Sequence, residues 1–176
     1  MHACAITAAG TVRCWSAQYD DKGRTAVPPT LGTVKAVYAG PGDHSCAIKT
    51  SGTLVCWGGD NTYKQLNVST SLGTVVAAAV GLEHTCAITA SGAVKCWGYT
   101  EYGVATVPSN LELPVQMLST GEYYTCVLDA AGDTRCWGYE NGYGATVPPP
   151  DLGIPQSIAA GGTASRPRQL RVTLQG

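Results

Sequence analysis

His44-Ser45-Cys46-Ala47-Ile48-Lys49-Thr50-Ser51-Gly52-Thr53-Leu54-Val55-Cys56-Trp57-Gly58 is the stretch that decides the fold. The same phrase recurs as His2 to Trp15, His84 to Gly98 and Tyr124 to Gly138, with starts 42, 40 and 40 residues apart. All 8 cysteines and all 4 tryptophans of the chain lie inside it. Self-similarity at a period near 40 residues signals stacked supersecondary units that bury their apolar faces on one another.

Inside the unit, two short strands flank a three-residue loop: Ala8-Ala9-Gly10, Thr50-Ser51-Gly52, Ala90-Ser91-Gly92 and Ala130-Ala131-Gly132. Glycine falls third, where a type I turn followed by a left-handed residue requires it. Pairing outward from the loop sets Thr7 against Thr11, Ile6 against Val12, Ala5 against Arg13 and Cys4 against Cys14. Alternation then places each cysteine pair at a non-hydrogen-bonded site, where Cα atoms lie about 4.5 Å apart, within disulfide reach. The expected bridges are Cys4–Cys14, Cys46–Cys56, Cys86–Cys96 and Cys126–Cys136. Each would constrain the unfolded chain by roughly 2–3 kcal/mol. Zinc is the alternative, with His and two Cys converging per unit. Yet Tyr124 replaces the fourth histidine and no fourth ligand recurs, so no metal site is expected. His2, His44 and His84 are expected to hydrogen-bond backbone within their own units.

A strand-like run precedes each hairpin: 34–39, 75–80, 115–119 and 156–160. Gly40, Gly81, Gly121 and Gly161 follow these runs. After each tryptophan comes a polar loop, often closing on Val-Pro. The unit therefore reads strand, turn, strand, tight turn, strand, long loop, which is the size of a β-propeller blade. Both hairpin faces are apolar or small, as a blade packed on both sides requires, and the tryptophans are expected to fill the contacts between blades. The fold class is all-β, with blades of three to four antiparallel strands. Repeats are expected over residues 1–162 (2–40, 41–81, 82–121 and 122–162), followed by a basic non-repeat tail at 163–176, disordered or frame-shifted.

These residues resemble the regulator of chromosome condensation repeat in its bacterial form. The resemblance rests on Ala36 to Gly40, His44 to Ile48, Ser51 to Gly58, Asn61 and Gln65-Leu66. Gly144-Ala145-Thr146-Val147-Pro148 looks like the variant in beta-lactamase inhibitor protein II. The resemblance implies a seven-bladed propeller that presents loops to another protein. With four units here, an incomplete arc is expected rather than a four-bladed ring, and open blade edges would favour self-association. The opening Met1-His2 carries no leader, and Thr163 to Gly176 departs from the pattern, so a gene fragment is expected.

Composition narrows the function. Net charge is −1, with 11 basic and 12 acidic residues, so neither nucleic acid nor an anionic membrane is an expected partner. No run of 18 apolar residues occurs, and no membrane insertion is expected. Paired cysteines point to an oxidising compartment, hence a secreted or cell-surface protein. The expected function is a protein-binding module whose post-tryptophan loops carry the contacts. Its candidate residues are Tyr19, Tyr63, Tyr99, Tyr102, Tyr139 and Tyr143, because tyrosine gives large contact area at low entropy cost.

The acids Asp43, Asp60, Glu83, Glu101, Glu122 and Glu140 repeat with the units rather than converging, and no catalytic constellation or cofactor motif appears. An enzyme is therefore not expected. A propeller lyase or glycosidase is one alternative. Exchange activity on a GTPase, by analogy with the resemblance, is another.

Overall fold

The computed structural model describes residues 2–17, 22–140 and 144–161. The expected tail at 163–176 lies outside them. Blade one is a two-stranded hairpin, β1 (His2–Ile6) with β2 (Val12–Ser16). Blade two holds β3 (Val34–Ala39), β4 (His44–Lys49) and β5 (Leu54–Gly58). Blade three holds β6 (Val75–Val80), β7 (His84–Thr89) and β8 (Val94–Gly98). Blade four holds β9 (Met117–Thr120), β10 (Tyr124–Leu128) and β11 (Thr134–Gly138). All four are antiparallel sheets, and in the last three the middle strand is second in chain order. The chain is an incomplete arc of propeller blades.

The hairpin register is the one the spacing predicts: Cys4 faces Cys14, Cys46 faces Cys56, Cys86 faces Cys96 and Cys126 faces Cys136. All four pairs are disulfides, with Cα atoms 4.0–4.1 Å apart. No thiolate is left to ligate zinc. The tight turns close as expected. In blade two, Gly52 N–H donates to Lys49 O at 2.8 Å and Lys49 N–H to Thr53 O at 2.9 Å. Gly10, Gly52, Gly92 and Gly132 carry φ of 77°, 88°, 80° and 84°, a region that glycine occupies without steric cost.

Alternation gives every hairpin two different faces. One carries the cysteines and Ile48 or its equivalent; the other carries the alanine beside each first cysteine (Val127 in blade four) and the tryptophan beside each second. Blades stack unlike face to unlike face. Cys4, Cys14 and Val12 of blade one meet Ala47, Val55 and Trp57 of blade two. Cys46, Ile48 and Leu54 meet Ala78, Ala87 and Trp97. Ile88, Val94 and Cys96 meet Val127 and Trp137. Trp57 is 6% exposed, whereas Trp15, with no blade among the described residues covering it, is 57% exposed. The inter-blade role expected of the tryptophans thus holds for the last three.

Turn glycines also anchor the next blade. Val34, Val75 and Val115 donate their N–H groups to the carbonyls of Gly10, Gly52 and Gly92, each at 2.9 Å. One blade later that position is Pro155, which has no N–H to give. The strand expected at 156–160 is absent as well, since leading strands elsewhere pair with the middle strand of their own hairpin and the cysteine phrase does not recur after Gly162. Those residues have no ladder partner, and Ala160 N–H bonds instead to Ser119 Oγ at 2.8 Å. No pairing of 156–160 with β1 occurs, so the described residues do not close a ring.

Candidate tyrosine rim at the blade boundaries

At each boundary one loop carbonyl accepts from the tryptophan of the following blade, and at the first two boundaries from a hydroxyl as well. Arg24 O accepts from Trp57 Nε1 at 3.1 Å and from Ser45 Oγ at 3.3 Å. Gln65 O accepts from Trp97 Nε1 at 2.9 Å and from Thr85 Oγ at 3.0 Å. Val104 O accepts from Trp137 Nε1 at 3.1 Å. The hydroxyl and the tryptophan are cross-strand partners, Ser45 with Trp57 and Thr85 with Trp97. They therefore leave the same sheet face and reach the same oxygen.

The histidines complete this clamp and correct the sequence expectation. His44 Nε2 meets Thr85 Oγ at 2.9 Å, and His84 Nε2 meets Thr125 Oγ at 3.1 Å. His2 Nε2 meets Ser45 Oγ at 2.6 Å. Their partners are hydroxyls of the next blade, not backbone of their own. Histidine shares the cysteine face, and that face looks across the boundary. The Thr85 proton is committed to Gln65 O, so His44 must donate from Nε2 and is the neutral Nε2–H tautomer. Burial pushes the pKa of both His44 and His84 down to about 4, because a charged ring is costly there. In blade four Tyr124 takes the histidine position, and its hydroxyl donates to Gly161 O at 3.2 Å.

This clamp fixes what the surface above it displays. Three positions recur at every boundary: two residues before the clamped carbonyl, one residue before the histidine position, and two residues after the tryptophan. At the first boundary they are Lys22, Asp43 and Gly59; at the second, Tyr63, Glu83 and Tyr99; at the third, Tyr102, Tyr123 and Tyr139. All lie at the end of the hairpins opposite the tight turns. The rings form one continuous array. Tyr63 and Tyr99 stand edge to face with centroids 4.9 Å apart, and Tyr102 and Tyr139 are 4.6 Å apart. Tyr99 joins the two pairs, 6.2 Å from Tyr102 and 5.7 Å from Tyr123. Tyr102 is 57% exposed and Tyr63 40%.

Four of the six tyrosines named from the sequence, Tyr63, Tyr99, Tyr102 and Tyr139, thus share one surface. Tyr19 and Tyr143 lie outside the described residues. Tyr123 was missed, because attention to the post-tryptophan loops passed over the hairpin entry. Its position carries Asp43, Glu83 and Tyr123 in successive units, among neighbours that also vary, so the local pattern held no signal for it.

Tyr102 adopts φ 57°, a left-handed conformation that a bulky residue rarely takes. Tyr99 donates to Glu101 Oε2 at 2.6 Å, and this bond pushes the phenol pKa up. Burial raises the pKa of Glu83, with a further push from the like charges of Asp60 and Asp43. Burial raises that of Glu122 as well. Among the described residues, no three His, Cys, Asp or Glu side chains cluster to hold a metal ion.

Comparison with known proteins agrees with this architecture. Residues 34–65 and 75–104, in the second and third blades, match the model of the Regulator of chromosome condensation (RCC1) repeat. No curated protein sequence gives a significant match. Among solved structures, the ectodomain of the receptor kinase CR4 from Physcomitrella patens is 28% identical with a TM-score of 0.71, covering 92% of this chain and 46% of its own. Human WBSCR16 is 23% identical with a TM-score of 0.69, covering 91% and 53%. Prp20p from Saccharomyces cerevisiae, described with its binding to Gsp1p and histones, is 17% identical with a TM-score of 0.67, covering 92% and 52%. The chain spans about half the length of these relatives.

Proposed function

We propose that the chain is an extracellular protein-binding module and that the tyrosine rim is its docking face. The observation that carries this reading is the contiguous array of five tyrosines supplied by three successive blades, on a scaffold that fixes their backbone. Aromatic side chains on a rigid frame give large contact area with little ordering cost, the pattern of interface anchors. The four disulfides support an oxidising compartment, as does the likeness to a receptor ectodomain. Gly144 to Pro148 supports the bacterial form of the repeat. The loop carbonyls beneath the rim are held by tryptophan donors of the following blades, so recognition falls to the displayed side chains.

The test is capture of secreted and surface proteins by the parent chain and by a Tyr63→Ala/Tyr102→Ala variant. A partner of the rim should lose about 1–3 kcal/mol of binding in the variant while the melting transition hardly moves. A captured partner held equally by both would remove the rim from the function.

A further inference from the structure

The rim also carries an ionic pattern that changes from boundary to boundary. At the first, the Asp43 carboxylate is satisfied within the chain: Lys22 Nζ lies at 2.7 Å and Arg24 at 3.0 Å. One blade on, Glu83 keeps the carboxylate at the Asp43 position, but Tyr63 stands for Lys22 and Gln65 for Arg24. Both cations are gone and the acid remains. At the third boundary Tyr123 takes the Glu83 position and the acid moves to its neighbour Glu122; among the described residues neither Glu83 nor Glu122 has a cationic partner. Tyr123 lies within the electrostatic reach of both, and of Tyr63 and Tyr102 as well. Half-buried carboxylates and aromatic faces therefore surround the place where the first boundary keeps its own lysine and arginine.

We propose that the rim over the second and third boundaries receives a lysine- or arginine-bearing segment of the protein partner, its cationic heads set against the tyrosine rings and the Glu83 and Glu122 carboxylates. The inference rests on the reading of the rim as the docking face and names the chemistry of what docks there. An ammonium or guanidinium over a tyrosine face is attracted by the ring quadrupole. A carboxylate beside it adds a charge-assisted hydrogen bond. The raised pKa values of Glu83 and Glu122 agree, since a carboxylate that lost water without gaining a cation is the group a cation would relieve.

The probes are three labelled peptides of equal length, oligo-lysine, oligo-glutamate and Gly-Ser, titrated against the full chain by fluorescence anisotropy at low salt. Oligo-lysine should bind and the other two should not. Glu83→Gln/Glu122→Gln should weaken oligo-lysine by about tenfold. Asp133→Asn/Asp151→Asn removes the same charge near the tight turns and should leave it unchanged. Glu83→Lys should abolish oligo-lysine binding and admit oligo-glutamate.

No oligo-lysine binding, equal binding of the Gly-Ser peptide, or equal losses in the two double variants would each overturn the proposal. If the captured partner depends on Tyr63 and Tyr102 but not on Glu83 and Glu122, the docking face stands and the basic segment falls.

Discussion

At the first blade boundary the rim is ionic, with Lys22 and Arg24 holding Asp43; at the third it is aromatic, with Tyr102, Tyr123 and Tyr139. Beneath both lies the same device. A tryptophan of the following blade donates to a loop carbonyl, Trp57 to Arg24 and Trp137 to Val104, each at 3.1 Å. The difference teaches how the repeat divides its work. Positions that make the clamp are constrained by buried donors that must find acceptors. Positions two residues before the carbonyl point out from it and are free to be Lys22 or Tyr102. An interface can thus change along the arc without disturbing what holds the arc together.

The largest expected effect tests the shared frame. Trp57→Ala and Trp137→Ala should each destabilise the chain by about 3–5 kcal/mol in denaturant unfolding, and by similar amounts. Trp15→Ala, on the uncovered face, should cost less than about 1 kcal/mol. A large loss at only one of the two buried sites would break the equivalence of the boundaries.

Next is the response to acid. His44 and His84 have folded pKa values depressed to about 4 from an ordinary 6.5. Their contribution is therefore complete above pH 6.5 and is lost as pH falls toward 4, by roughly 3 kcal/mol per ring. His84→Gln should remove about half of that slope in melting curves taken across the window. An unchanged slope would mean that the rings already titrate normally in the folded state.

Smaller still is the ionic rim. Asp43→Ala should cost about 1–3 kcal/mol, because Arg24, only 5% exposed, loses its carboxylate. Tyr102→Ala should stay within about 1 kcal/mol of the parent, since its ring is mostly exposed. At the bottom of the scale, Tyr102→Gly should be more stable than Tyr102→Ala by roughly 0.5–1 kcal/mol, because the backbone there has positive φ. If Tyr102→Ala proves costlier than Asp43→Ala in thermal unfolding, the aromatic rim is structural and the contrast between the boundaries reverses.

What the sequence determined by itself was local. Counting outward from Gly52 gives the pairing of Thr53 with Lys49 and of Cys56 with Cys46, because turn geometry and the two-residue alternation of a strand leave one register. The disulfides, the turn glycines and the unlike faces of each hairpin follow from that register. The strand expected at 156–160 has no ladder among the described residues: leading strands elsewhere pair with the middle strand of their own hairpin, and the cysteine phrase that would supply one does not recur after Gly162.

The tertiary structure decided what crosses a boundary. The expectation for His44 was backbone of its own blade, but its partner Thr85 lies 41 residues away. Tyr123 joins Tyr99 from the other blade, though nothing in its local pattern sets it apart from Asp43 or Glu83. Neither contact has a period or a spacing to betray it, because blade packing brings side chains together by the angle between two sheets. That angle is set by how Trp57, Trp97 and Trp137 fill the space between sheets, a property of packed volumes rather than of order along the chain.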